Sequence, residues 1–191
     1  MPDLQAARGA SLSTSETSAD PLEPSPGPDR RRAAPLLALA VGAFGLGLDV
    51  VSKQLAVNRL DGGESVSVIG DLLRLRLVLN PGAAFSAGES FTLVISLVAV
   101  VAAVVISAYV VKVRHRGWAV ALGLMLAGVV GNLVDRVFRP PGPLRGHVVD
   151  FFELPNWPVF NVADICINAA AVLAVVLLVR GIRMDGTRHD G

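Results

Sequence analysis

The sequence predicts an all-α membrane protein of four transmembrane helices, with a small sheet attached to one end of the bundle. Three observations predict it. The 191 residues are 52% hydrophobic and only 17% charged, where a soluble domain carries roughly 25% charged residues. Four apolar stretches, at about 33–57, 91–111, 118–138 and 159–179, are each long enough to cross a bilayer, which takes roughly 20 residues. Between the first two, residues 73–79 (Leu-Arg-Leu-Arg-Leu-Val-Leu) carry leucine at every second position, the period-two pattern of a half-buried strand.

Residues 1–32 are rich in Pro, Ser, Asp, Glu and Ala and end in Arg30-Arg31-Arg32. Such a segment buries too little apolar surface to fold alone and is expected to be a disordered cytoplasmic tail. The apolar run that follows is too long for a secretory signal core. It continues into Asp49 and Lys53 without a small-residue cleavage pattern, so the first span is expected to stay uncleaved. The membrane domain is expected over 33–182, with a short cytoplasmic tail at 183–191.

Basic residues cluster at Arg30–Arg32, at Lys112, Arg114 and Arg116, and at Arg180, Arg183 and Arg188. Four spans bring all three clusters to one side, and the positive-inside rule makes that side cytoplasmic. Net charge is +1 and gives no sign of a nucleic-acid partner. The one cysteine, Cys166, excludes an intramolecular disulfide and reads as a small core or lipid-facing residue. His115, His147 and His189 are scattered over loops and tail, without the spacing of a zinc site.

In the first loop on the other side, residues 64–69 also alternate and are expected to pair with 73–79 across Gly70-Asp71. Asn80-Pro81-Gly82 then supplies strong turn chemistry. The second such loop, 139–158, is rich in Pro and Gly around an apolar Val148-Val149-Asp150-Phe151-Phe152 core.

The chemistry-bearing residues are two Asn-x-x-Asp blocks, Asn132-Leu-Val-Asp135 and Asn161-Val-Ala-Asp164. Acids in or beside hydrocarbon are costly and mark functional sites by default. Asp135 lies 17 residues beyond Trp118 and Asp164 lies 16 before Arg180. At about 1.5 Å per residue these are similar depths on spans running in opposite directions. Asp49 and Lys53, spaced for an i, i+4 ion pair, reach the same layer. Two carboxyls in contact cannot both ionise cheaply and tend to share a proton, the arrangement that peptide hydrolysis by paired acids requires. Each aspartate has a plainer alternative, as a helix cap or as partner to a nearby arginine. Arg136 adjoins Asp135, but adjacent helix residues do not face one another. A proton-coupled carrier or a non-catalytic assembly factor would also place acids in a membrane, but no apolar segment is broken near the midplane, where carriers bind.

Taken in order, Asp49-Val-Val-Ser-Lys53, Asn80-Pro-Gly-Ala-Ala-Phe-Ser86, Gly131-Asn-Leu-Val-Asp-Arg136, Val148-Val-Asp-Phe151 and Phe160-Asn-Val-Ala-Asp164 resemble the motif blocks of the lipoprotein signal peptidase, or signal peptidase II, family. The resemblance covers roughly 35–182. It implies a metal- and cofactor-free aspartic endopeptidase of the bacterial cytoplasmic membrane, with four transmembrane helices and an extracytoplasmic β-cradle. Such an enzyme removes the signal peptide of a prolipoprotein by cutting before a diacylglyceryl-modified cysteine. It implies catalytic roles for Asp135 and Asp164. Substrate-contacting or supporting roles fall on Asp49, Lys53, Asn80, Gly82, Asn132, Arg136, Asp150, Asn161 and Ala163. Membrane lipid and the lipidated substrate are the implied partners, with no obligate protein partner.

Overall fold

The computed structural model describes residues 28–63, 65–82 and 89–187. The expected tail up to residue 27, Glu64 at the head of the first strand, and His189 lie outside them. Four helices, α1 (Pro28–Leu60), α2 (Glu89–Val110), α3 (Arg116–Phe138) and α4 (Val162–Val179), are joined by strands β1 (Val66–Ile69), β2 (Leu73–Asn80) and β3 (Val148–Glu153). Each helix is long and apolar enough to cross a membrane. α1 begins earlier than expected, so 28–32, read as tail, are helical. Proline suits a first helical position because its missing N–H would have no partner there.

α3 is the central helix and packs against α1, α4 and α2. Small residues on its surface permit this, as in membrane bundles generally. A Cβ at Gly128 would lie 2.4 Å from the Ala163 carbonyl oxygen, and one at Gly131 would lie 2.5 Å from Asp49 Oδ2. Large apolar side chains such as Phe44, Val51, Val101, Val104 and Val172 are exposed and form the surface offered to lipid. Cys166 is buried, in keeping with its apolar neighbours.

Helix ends are set by local chemistry. His115 caps α3, its Nδ1 accepting from the Gly117 N–H at 3.1 Å, so this histidine has a structural partner rather than a purely solvated role. α3 stops at Phe138, ahead of Pro140 and Pro141, since residues before proline are pushed out of helical geometry. α4 opens with a capping box. Asn161 Oδ1 accepts from the Asp164 N–H at 3.0 Å, and Asp164 Oδ2 accepts from the Asn161 N–H at 3.2 Å. Away from the sheet, the chain after α4 folds back on the α2–α3 connector. The N–H groups of Arg114 and His115 donate to Met184 O, and Trp118 Nε1 donates to Ile182 O at 2.8 Å.

The sheet has order β1-β2-β3 and is antiparallel throughout. β1 and β2 form the expected hairpin, with Gly70 at φ +49° in its turn. β3 was not expected as a strand. Val148–Asp150 and Phe151 are buried on consecutive positions, so the sequence shows no alternation, only apolar residues interrupted by Asp150. β3 places Val149 and Phe151 against Ala56 and Leu60 of α1. It thereby seats the sheet on the ends of the helices.

Replacing Gly131 with alanine is expected to cost about 1–3 kcal/mol through overpacking, while Gly47→Ala, with open space around its Cβ, changes little. Thermal unfolding of both variants in detergent checks the difference.

Candidate active site

Buried polar side chains from all the sheet-end elements converge in one layer. α1 supplies Asp49 and Lys53, one turn apart, 0% and 1% exposed. α3 supplies Asn132, Asp135 and Arg136, with Arg139 at its C-cap, and α4 begins with Asn161 and Asp164. β2 ends in Asn80, and β3 carries Asp150 with 3% exposure.

Lys53 is the hub. Its Nζ lies 2.8 Å from Asp49 Oδ2 and 2.9 Å from Asp135 Oδ2. It also donates to Asn132 Oδ1 at 3.0 Å and Gly131 O at 3.4 Å. Asp49 spends its other oxygen on the Ala163 N–H, at 2.8 Å, which ties α1 to the first turn of α4. An ammonium this deep is tolerable only where its charge is matched, and two carboxylates match it.

Asp135 is enclosed by cations and amide. Oδ1 takes Arg139 Nε at 2.5 Å, and Oδ2 takes Lys53 and the Val149 N–H, the latter at 3.2 Å. This differs from the expectation that its carboxyl turns to Asp164. The bonds connecting the two aspartates run through Lys53 and Asn132, whose Nδ2 donates to Asp164 Oδ1 at 2.9 Å. The two Asn-x-x-Asp blocks therefore do unlike things. Asn161 caps Asp164, three residues on, whereas Asn132 serves Asp164 across the helix interface and leaves Asp135 to Lys53 and Arg139.

Asp150 has a different setting. Oδ2 accepts from Asn80 Nδ2 at 2.9 Å and Oδ1 from Asn161 Nδ2 at 2.7 Å. Burial pushes its carboxyl from 3.8 up to about 6; the charge of Asp164 adds to this, while the Asn80 and Asn161 bonds and the charge of Lys53 oppose it. Asp150 and Asp164 thus feel one another's charge, and both are held by Asn161. The Asn161 amide also donates to Asn132 Oδ1 at 3.1 Å, closing a ring of neutral amides around the two acids.

The remaining expected residues fall in place around this centre. Gly82, at φ +99°, donates its N–H to Asn80 Oδ1 at 2.8 Å, which fixes the amide that reaches Asp150. Arg136 is buried, with the charges of Asp150 and Asp135 acting on it. Among the described residues its Nη1 has no hydrogen-bond partner. Sequence reasoning missed Arg139, although its i, i+4 spacing from Asp135 was legible. It also missed Thr92 and Ser96, buried on α2, whose hydroxyls donate to Pro81 O at 2.5 Å and Leu144 O at 2.6 Å. Isolated hydroxyls in an apolar helix gave no periodic signal for these ties to the two loops.

Four helices able to span a membrane, closed at one end by a sheet over a cluster of carboxyls and amides, define the architecture of a multi-pass membrane protein with a polar centre at one end. The family model for signal peptidase (SPase) II matches residues 41–180. A lipoprotein signal peptidase of Mycolicibacterium smegmatis is 47% identical over 93% of this chain and 79% of its own length. One of Mycobacterium tuberculosis is 44% identical over 100% of this chain and 95% of its own. A solved bacterial membrane enzyme shares the fold with a TM-score of 0.67 at 25% identity, covering 75% of this chain and 92% of that one. The chain belongs to the signal peptidase II family and is a protease.

Lys53→Met should leave Asp49 buried without a cation and Asp135 with Arg139 alone, and cost about 3–5 kcal/mol. Lys53→Met combined with Asp49→Asn should recover part of that loss, as read by denaturation midpoints in detergent.

Proposed function

We propose that this signal peptidase II removes signal peptides from diacylglyceryl-modified prolipoproteins by aspartic catalysis, with Asp150 and Asp164 as the reacting pair. The observation that carries the pairing is the setting of Asp150: buried, near Asp164, raised to about 6, and hydrogen-bonded on both oxygens by neutral amides. A carboxyl so placed holds a proton close to neutral pH and can give it up. Asp135, the partner expected from sequence, has both oxygens engaged by Lys53, Arg139 and the Val149 N–H. It serves better as the anchor that orients β3 and Lys53.

Charge counting supports the same reading. The layer holds four carboxyls (Asp49, Asp135, Asp150, Asp164) and three cations (Lys53, Arg136, Arg139). One proton on a carboxyl makes it neutral, which favours a pair that shares one proton inside a poorly solvated site. In the reaction, ionised Asp164 takes a proton from water as its oxygen attacks the scissile carbonyl. Protonated Asp150 donates to the carbonyl oxygen. Collapse of the resulting diol returns that proton to Asp150 and passes the other from Asp164 to the departing amine. Water and the two carboxyls supply every group that these steps need.

The basic residues Lys112, Arg114, Arg116, Arg180 and Arg183 occupy the end opposite the sheet, which supports a cytoplasmic placement for that end and for both termini. The acid layer then meets the outer headgroup boundary, where a lipid-anchored cysteine holds the scissile bond. β1–β3 cover the reacting segment from bulk water.

Reconstituted with a diacylglyceryl prolipoprotein, Asp150→Asn and Asp164→Asn should each lose at least ~10³-fold in kcat. Asp135→Asn should instead lower the unfolding temperature, with cleavage per folded molecule within about tenfold of wild type. Efficient cleavage by Asp150→Asn, together with none by folded Asp135→Asn, would restore Asp135 as the reacting group.

The pH profile gives a second test. The free enzyme's kcat/KM should fall as pH climbs through about 6, because Asp150 then loses its proton. The Asn80 bond holds that value down, so Asn80→Ala should move the alkaline limb to higher pH. A limb that stays in place in Asn80→Ala argues against Asp150 as the titrating acid.

A further inference from the structure

Beside Asp164 a groove of about 570 Å³ runs down the outer face of α4, bordered by Trp157, Phe160, Asp164, Asn168, Val172 and Val176. Trp157 and Phe160 stand at its head, and valines line its far end. From Asp164 to Val176 is 12 residues, about 18 Å of helix. One of the two acids proposed to react thus opens directly on an apolar trough that descends into the hydrocarbon layer.

Asn168 is out of character with that trough. It is exposed on α4, one turn deeper than Asp164, among Ile165, Ala169 and Val172. Its Nδ2 donates to the Asp164 carbonyl oxygen at 2.9 Å. That bond uses one N–H and leaves a second N–H and the Oδ1 acceptor of a side chain that borders the groove. Holding an amide against hydrocarbon is unfavourable unless something pairs with it.

Building on the reading that this site cleaves prolipoproteins, we propose that Asn168 is a specificity residue that binds the backbone of the signal peptide just before the cut. The chemistry of the free groups selects this part of the substrate. An extended peptide unit offers one donor and one acceptor, which together satisfy both. An ester carbonyl of the diacylglyceryl group offers only an acceptor and would leave Oδ1 unpaired. Deeper in the groove the signal peptide is helical and its backbone satisfied, which fits the absence of polar side chains among the deeper lining residues Val172, Leu173 and Val176. Asn168 therefore marks the place where the signal helix gives way to the strand-like segment that enters the site.

The two products of cleavage separate the alternatives, because one carries the signal peptide and the other the lipid. Inhibition of prolipoprotein cleavage by each product is measured for wild type and Asn168→Leu, a substitution suited to an exposed helical position facing lipid. The inhibition constant of the free signal peptide should rise at least about tenfold in Asn168→Leu, since two hydrogen bonds are lost and one is worth up to about tenfold, with that of a diacylglyceryl-cysteine peptide unchanged. Asn168→Gln should recover part of the loss. A selective change for the lipid product, or no change for either, overturns the proposal while leaving the protease reading intact. Wild-type protein that fails to cleave prolipoprotein at all removes both.

Discussion

The sheet-end architecture depends on one buried ammonium. Lys53 reaches from α1 into the bundle and meets Asp49, Asp135, Asn132 and Gly131 O. In hydrocarbon an unpaired charge is prohibitive, so each carboxylate is tied to the position of the lysine and the lysine to theirs. Asp49 continues the chain of constraint through the Ala163 N–H to the start of α4. Asp135 continues it through the Val149 N–H to β3. One cation thereby fixes three helices and a strand relative to each other, at the depth where chemistry is proposed to occur.

Around that ionic centre the acids fall into two environments. Asp49 and Asp135 are charge-matched, whereas Asp150 and Asp164 are held by the amides of Asn80, Asn132 and Asn161. Neutral donors orient a carboxyl without supplying a full opposing charge. That difference supports the proposed pairing of Asp150 with Asp164. In the proposed reading, positioning and reactivity fall to separate carboxyls of one layer.

The same division sets the approach of substrate. The ionic pair faces inward between α1 and α3, where Gly131 lets Asp49 close on the helix surface. Asp164, at the first turn of α4, borders the groove on the lipid side. In the proposed reading, a substrate entering along that groove meets the amide-held acids before the ion pairs of Lys53. Thr92 and Ser96 tie α2 to both covering loops by hydroxyl-to-carbonyl bonds, so the cover of the site is anchored to a spanning helix rather than only to the sheet.

Much of this was legible in the chain. Hydropathy alone located four spans to within a few residues, because a bilayer demands long apolar helices whatever their packing. Alternation found the β1–β2 hairpin, since one of its faces is wet. The i, i+4 spacing of Asp49 and Lys53 gave their ion pair, and motif order gave the family. β3 escaped because a strand buried on both faces loses its period. The neighbours of Asp135 and Asp150 were also beyond the sequence. Two identical Asn-x-x-Asp spacings suggested a symmetric pair, but one block lies at the C-terminal end of a helix and the other at an N-terminus. Orientation, and therefore neighbours, differ between those places. The identity of the acids came from the amino-acid sequence by itself. Which acid faces a cation, and which faces another acid, was decided only when α1, α3, α4 and β3 packed together, because contacts between residues up to 114 positions apart leave no local pattern.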